Sequence, residues 1–212
     1  MPGIGRGISP YVKRKLVGGS SIPTSTNATV QAWLNKIGTD GYTYPTQAQV
    51  NIYTTAWDYA DAQGLTSQFD LVGLPKVPNI DLVKIPFIHA AGSSARFTLV
   101  NQSDIAFNPL KGVINDFNGN VNGYIDTNFI PRTHAIHSTL NDTSLGAFVY
   151  DSVSIGNVIG FYPLAAAGGG NSLIKNIINN YGVRVNTGGS NTSVADTTTE
   201  NRLVCGVRTN AT

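Results

Sequence analysis

Glutamate is nearly missing from this chain: Glu200 is the sole example in 212 residues, against eleven aspartates. Long solvent-facing helices are usually laced with Glu and Lys pairs, so the shortage argues against a helical bundle. Cysteine is equally scarce. Cys205 alone cannot form an internal disulfide, and its place in the alternating run "RLVCGVR" fits a small buried hydrophobe. Charged residues make up 12%, about half of the usual quarter. No stretch of eighteen or more apolar residues is present, and the first residues, "MPGIGRGISPYVKRKLV", lack the apolar core of a secretory signal. The expectation is a protein made in a cytoplasm that stays soluble or assembles there. On that expectation the Asn-x-Ser/Thr triplets at Asn27, Asn101, Asn141, Asn191 and Asn210 are products of composition rather than glycosylation sites.

Asn, Thr, Ser and Gly fill the space left by charge. Thr packs well on a pleated surface, while Asn and Gly supply positive φ in tight turns, so the composition predicts a mainly β protein. A chain of this length buries about 70% of its unfolded surface, enough for one substantial core. The charge is unevenly placed. Arg6, Lys13, Arg14 and Lys15 precede any acid, and the remaining residues carry ten bases and twelve acids. The net +2 is therefore a basic arm on a near-neutral body. Such an arm suits docking to an acidic protein surface. Nucleic acid is the weaker fit, because no basic patch interleaved with aromatics follows.

Residues 18–26, "GGSSIPTST", have the composition of a linker. Val30, Trp33, Leu34 and Ile37 then fall at helical spacing, with Asn27 placed to cap the helix from Ala28. A second helix is predicted from Thr46 to about Ala62, with Pro45 near its start and Gly64 near its end. Trp33 and Trp57 read as core anchors. From about residue 84 short strand patterns alternate with turns: "KIPFIHA", "ARFTLV", "GVIND", "GYIDTNF", "THAIHSTL", "SLGAFVYD", "NVIGFYP", "SLIKNII", "YGVRVN" and "RLVCGVR". The run around "AAAGGGNSLIKNIINN" reads equally as strand or helix. This spacing predicts a sandwich or barrel.

Catalytic chemistry finds little support in these residues. A retaining glycosidase needs two carboxylates about 5 Å apart. Glu200 has no carboxylate two or four positions away, and the helical spacing puts Asp58 and Asp61 on a solvated face. His134 and His137, three apart on a predicted strand, point to opposite faces and cannot share a metal, and His89 has no partner in sequence. The reading is a protein without catalytic residues or a metal site. The most ligand-like segment is "DFNGNVNGYID", where Asp116, Asn118, Asn120, Asn122 and Asp126 offer oxygen atoms suited to calcium. It lacks the EF-hand Gly and Glu spacing, and its two Asn-Gly pairs are strong hairpin-turn signals. The expectation is no cofactor, with calcium as the competing reading of this one segment.

The stretch "NGNVNGYIDTNFIPRTHAIHSTLNDTSLGAFVY", after helices that end at "VKIPFIHA", resembles a domain of bacteriophage tail, head-fibre, spike and minor capsid proteins. The likeness covers roughly residues 28–160 and rests on Asn122, Gly123, Tyr124, Asp126, Pro131, Ser138 and Asn141. It implies a concanavalin A-like, lectin-like jelly-roll β-sandwich of antiparallel strands, carried by a non-catalytic virion component made in the bacterial host cytoplasm. On this view residues 1–24 are a basic arm and linker, 25–75 a helical lead-in and 76–212 the sandwich. Arg6, Lys13, Arg14 and Lys15 would dock to other virion proteins. Asn122, Tyr124 and Asp126 would contact a host-surface glycan at the rim, because an aromatic face suits sugar C–H edges while amides pair with hydroxyls. In the resembling proteins the sandwich runs on past the counterpart of "NRLVCGVRTNAT". A longer chain, a shortened fold or strands from another subunit would each account for that. The last alternative, with few lysines guarding the strand edges, predicts a homo-oligomer.

Overall fold

The computed structural model describes residues 21–73, 77–110, 112–115, 123–137, 142–149, 156–161, 171–177, 180–187, 192–195 and 202–209. Helix α1 spans Ala28–Asp40 and α2 spans Gln47–Ala62. Asn27 caps α1 as its position in sequence suggests, accepting from the amides of Thr29 and Val30. Gly41 closes the helix at φ 72°, a left-handed conformation that costs glycine nothing. At α2 a reciprocal capping box forms. Gln49 N–H donates to Thr46 Oγ1, and Thr46 N–H donates to Gln49 Oε1.

The described core is gathered around these helices. Val30, Trp33, Leu34 and Ile37 from α1 and Val50 and Trp57 from α2 pack with Val77, Leu82, Val83, Ile85 and Phe87. Phe87 lies between the two tryptophans, stacked on Trp33 at 4.5 Å and on Trp57 at 5.2 Å between ring centroids. Tyr53 meets both Trp33 and Phe87 edge-on. The segment carrying Phe87 is irregular: Pro86 lacks an N–H, and the carbonyls of its neighbourhood need partners once buried. Side chains of α1 supply them. Trp33 Nε1 donates to Ile85 O at 3.0 Å, and Lys36 Nζ donates to Pro86 O and Phe87 O at 3.1 and 3.3 Å. Burial, with repulsion from the Arg96 guanidinium, holds the Lys36 ammonium below the usual lysine range.

Twelve strands follow in the described residues: β1 Leu71–Val72, β2 Ile88–His89, β3 Thr98–Val100, β4 Ile105–Asn108, β5 Gly112–Asn115, β6 Tyr124–Asp126, β7 Asp142–Val149, β8 Gly156–Phe161, β9 Asn171–Ile177, β10 Asn180–Thr187, β11 Thr192–Ala195 and β12 Arg202–Thr209. All pairings are antiparallel. They build one four-stranded sheet in the order β11-β10-β9-β8, and the two-stranded pairs β1-β2, β3-β6, β4-β5 and β7-β12.

This corrects the predicted jelly-roll, lectin-like β-sandwich. Among the described residues the strands form one four-stranded sheet and four two-stranded pairs, and no sandwich is shown. The physical reason lies in strand length and in where apolar surface is buried. β1 to β6 are two to four residues long, too short to make a layer, and among the described side chains the fully buried apolar ones come mainly from the helices and the 77–87 segment, with Leu99, Phe107, Val113 and Ile125 of the strands partly buried against them. The "THAIHSTL" strand is also corrected: Pro131–His134 forms a single helical turn, α3, and His134 ends it. The ambiguous "NSLIKNI" run resolves as strand β9.

Candidate functional site

The β3-β6 pair presents the best-formed polar face among the residues that sequence singled out. Its register sets Val100 opposite Tyr124, Leu99 opposite Ile125 and Thr98 opposite Asp126. Alternation then divides the side chains, because successive residues of a strand point to opposite faces. Leu99 and Ile125 pack against the core cluster. Tyr124, 55% exposed, shares the other face with Asp126 and Thr98.

Asn128 fixes that face. Its backbone adopts φ 53°, its N–H donates to Asp126 Oδ1 at 2.8 Å, and its side-chain amide donates to Thr98 Oγ1 at 3.0 Å and to Arg96 O at 2.8 Å. Thr98 Oγ1 accepts in this arrangement, so its own hydrogen remains a donor. Arg96 is held in turn by Asp40 at the end of α1, through Nε–Oδ2 at 2.6 Å and Nη2–Oδ1 at 3.1 Å. A paired carboxylate and guanidinium fork of this kind is among the more directional polar contacts. The face therefore sets one accessible phenol ring beside a carboxylate and a hydroxyl whose positions are tied to the helical core.

Behind this face, His89 is buried at 6% exposure. The sequence offers it no partner, yet the fold provides three: its Nε2 lies 2.9 Å from Thr127 O, its Nδ1 accepts Ala91 N–H, and its ring stands 6.0 Å from that of His134. Asp70, also buried, accepts the N–H groups of Ile136 and His137. Sequence reasoning missed both roles. Thr127 O for His89 and the amides of Ile136 and His137 for Asp70 are main-chain groups far along the chain, which leave no motif.

Of the sequence-predicted glycan residues, Tyr124 and Asp126 come together as described, while Asn122 lies outside the described residues. Arg6, Lys13, Arg14 and Lys15 lie outside them as well, as do Asp116, Asn118 and Asn120 of the calcium-like segment and Glu200. Asp58 and Asp61 are exposed on α2, where the helical spacing placed them, and both accept from Asn27 Nδ2, at 2.9 and 2.7 Å. His134 and His137 sit on and after a helical turn rather than along a strand. Among the described residues no group of three or more His, Cys, Asp or Glu side chains could hold a metal ion, and no helix is long and apolar enough to cross a membrane.

The chain matches no family model, no curated protein and no solved structure in the comparisons made.

Proposed function

We propose that this protein is a non-catalytic structural subunit of a bacteriophage particle, a minor capsid, penton, spike or fibre component. Arg6, Lys13, Arg14 and Lys15 dock it to neighbouring virion proteins, and it works as a homo-oligomer. The phage assignment rests on the likeness of residues 28–160 to virion proteins. One structural observation carries the assembly part: large apolar side chains stand in solvent across the described surface. Ile22, Ile52, Leu110, Tyr124, Ile130 and Ile136 are each more than half exposed, and Tyr59 is 68% exposed. Single exposed apolar residues are ordinary, but this many on a body with few charges suits surfaces covered by neighbours. Particles assembled with a chain lacking residues 2–17 test the docking role. Loss of the subunit from purified particles is expected, and normal incorporation would remove the arm from the mechanism.

A second reading, contact with a host-surface glycan, is favoured by the Tyr124 ring beside Asp126 and Thr98. Aromatic faces cover sugar C–H edges while carboxylate and hydroxyl groups pair with sugar hydroxyls. Binding of the assembled oligomer on a glycan array, lost on Tyr124→Ala, would support it. An array without signal would remove it.

A further inference from the structure

We infer that α2 pairs antiparallel with the α2 of a second copy of this chain, through the face it turns away from the core. The inference rests on the homo-oligomer reading above and names a surface for it. Val50, Tyr53, Trp57 and Ala60 recur at the helical period and pack on the core cluster. Ala48, Ile52, Thr55, Ala56 and Tyr59 recur at the same period on the opposite side, and all five are exposed, Ile52 at 67% and Tyr59 at 68%. A helix face in water ordinarily carries charged pairs, yet α2 contains no Lys, Arg or Glu. Its two charged residues, Asp58 and Asp61, lie on a flank, where both accept from Asn27 Nδ2. Thr54, on the same flank, is hydrogen-bonded to Ser25. These polar residues of α2 serve contacts within the chain, and the outward face is left mainly apolar. A helix apolar on two sides is suited to being covered on two sides.

A second copy is the occupant because the face is complementary to itself. A two-fold axis passing between Thr55 and Ala56 sets Ile52 of one copy against Tyr59 of the other, and Thr55 against Ala56, with each contact made twice. The small pair lies at the crossing and lets the two backbones approach, while the large side chains pack on either side of it. Thr55 Oγ1 donates to Asn51 O at 3.0 Å within its own helix, so the central hydroxyl can be covered with its hydrogen already bonded. No charge enters the contact from either copy, since Asp58 and Asp61 stay on the flank. Antiparallel alignment also brings the positive start of each helix beside the negative end of the other. The area sets the strength. A helix of 16 residues is about 24 Å long and offers a strip about 10 Å wide, a few hundred Å² per copy. A stable dimer buries about 800 Å² per partner, so this pairing is weak between free chains and holds where neighbours are already fixed side by side.

The test uses the full-length chain and two variants, Ile52→Lys and Tyr59→Glu, in sedimentation runs from micromolar to millimolar concentration. The parent is expected to associate increasingly as concentration rises. Each variant alone sets an unpaired charge into the contact, and its association constant should fall about tenfold or more. An equimolar mixture of the two places the introduced lysine opposite the introduced glutamate at one contact and leaves the parental pair at the other, so association should largely return. Both positions are exposed in the single chain, and the urea midpoints of the variants should match the parent's. A lowered midpoint in both would show that the face is covered within the chain and would overturn the inference. Variants that associate as strongly as the parent would move the oligomer contact to another surface, with the homo-oligomer reading intact and the α2 pairing lost. A mixture no stronger than its components would overturn the antiparallel two-fold. A parent that stays monomeric throughout would remove the homo-oligomer reading and this pairing together.

Discussion

Asn27 uses every polar group it owns. Its N–H donates to Ser25 Oγ, its carbonyl accepts from Gln31 N–H, its Oδ1 takes two amides of α1, and its Nδ2 holds Asp58 and Asp61 on α2. One side chain thus starts one helix and ties it to the other. Asn27→Ala should cost about 1–2 kcal/mol, the range for a lost N-cap, measured by urea denaturation. Asn27→Asp keeps the cap oxygen but sets a third carboxylate against two, so it should also destabilise at pH 7 and recover part of the loss when the acids are protonated. Equal stability of Asn27→Asp and the parent at pH 7 would show that the contact to α2 is unimportant. The carboxyl of Asp61 is held below the usual range, first by the Thr66 hydroxyl and then by Asn27. A depressed folded pKa means the unfolded state binds more protons as pH falls. This contribution is therefore complete above the ordinary carboxylate range and is lost as pH drops through the folded value. Asp61→Asn should show a smaller fall in thermal midpoint between pH 7 and pH 3 than the parent does. An identical fall would assign the acid sensitivity to other groups.

At the scale of elements, the close approach of one backbone to one ring sets a limit. A Cβ placed on Gly73 would lie 2.5 Å from Phe97 Cε2, and Phe97 is itself buried. Gly73→Ala should cost about 1–3 kcal/mol, as overpacking does, and a pairing of Gly73→Ala with Phe97→Leu should recover part of it in a double-mutant cycle. The helices were legible in sequence because Val30, Trp33, Leu34 and Ile37 repeat at the helical period and Asn27 stands where a cap belongs. Most strands were legible as strands too. Which strands would pair was not, since a period of two marks a strand and its faces without naming its neighbour. β3 pairs across the chain with β6, and β7 with β12, whereas β8 to β11 pair in order. The Pro131–His134 turn was missed because its alternation looks like a strand, while the Ile130 amide bonding to His134 Nδ1 closes it as a turn. Of the candidate face, Tyr124 and Asp126 could be read from the sequence. Asn128, which fixes it, could not, since its role depends on a positive φ and on Thr98 across the pair.

For the whole molecule, the two helices bury Trp33 and Trp57 around a residue that neither helix contains. Removing the Phe87 ring from between Trp33 and Trp57 should cost about 3–5 kcal/mol, as large aromatic truncations in cores do, seen as a shift in the urea midpoint. A Phe87→Leu variant should lose clearly less. The link from Trp33 Nε1 to Ile85 O closes a loop of 52 residues. Synthesis runs from the N-terminus, and domains usually settle in that order as they emerge. Here the helical hairpin is made first but stays without its centre until Ile85, Pro86 and Phe87 have left the ribosome. A nascent chain stopped at Gly64 should remain open to protease, and one extended past Ala91 should become resistant within α1 and α2. The timing of translation, as well as the final contacts, thus decides how long two tryptophans stand exposed in the cell.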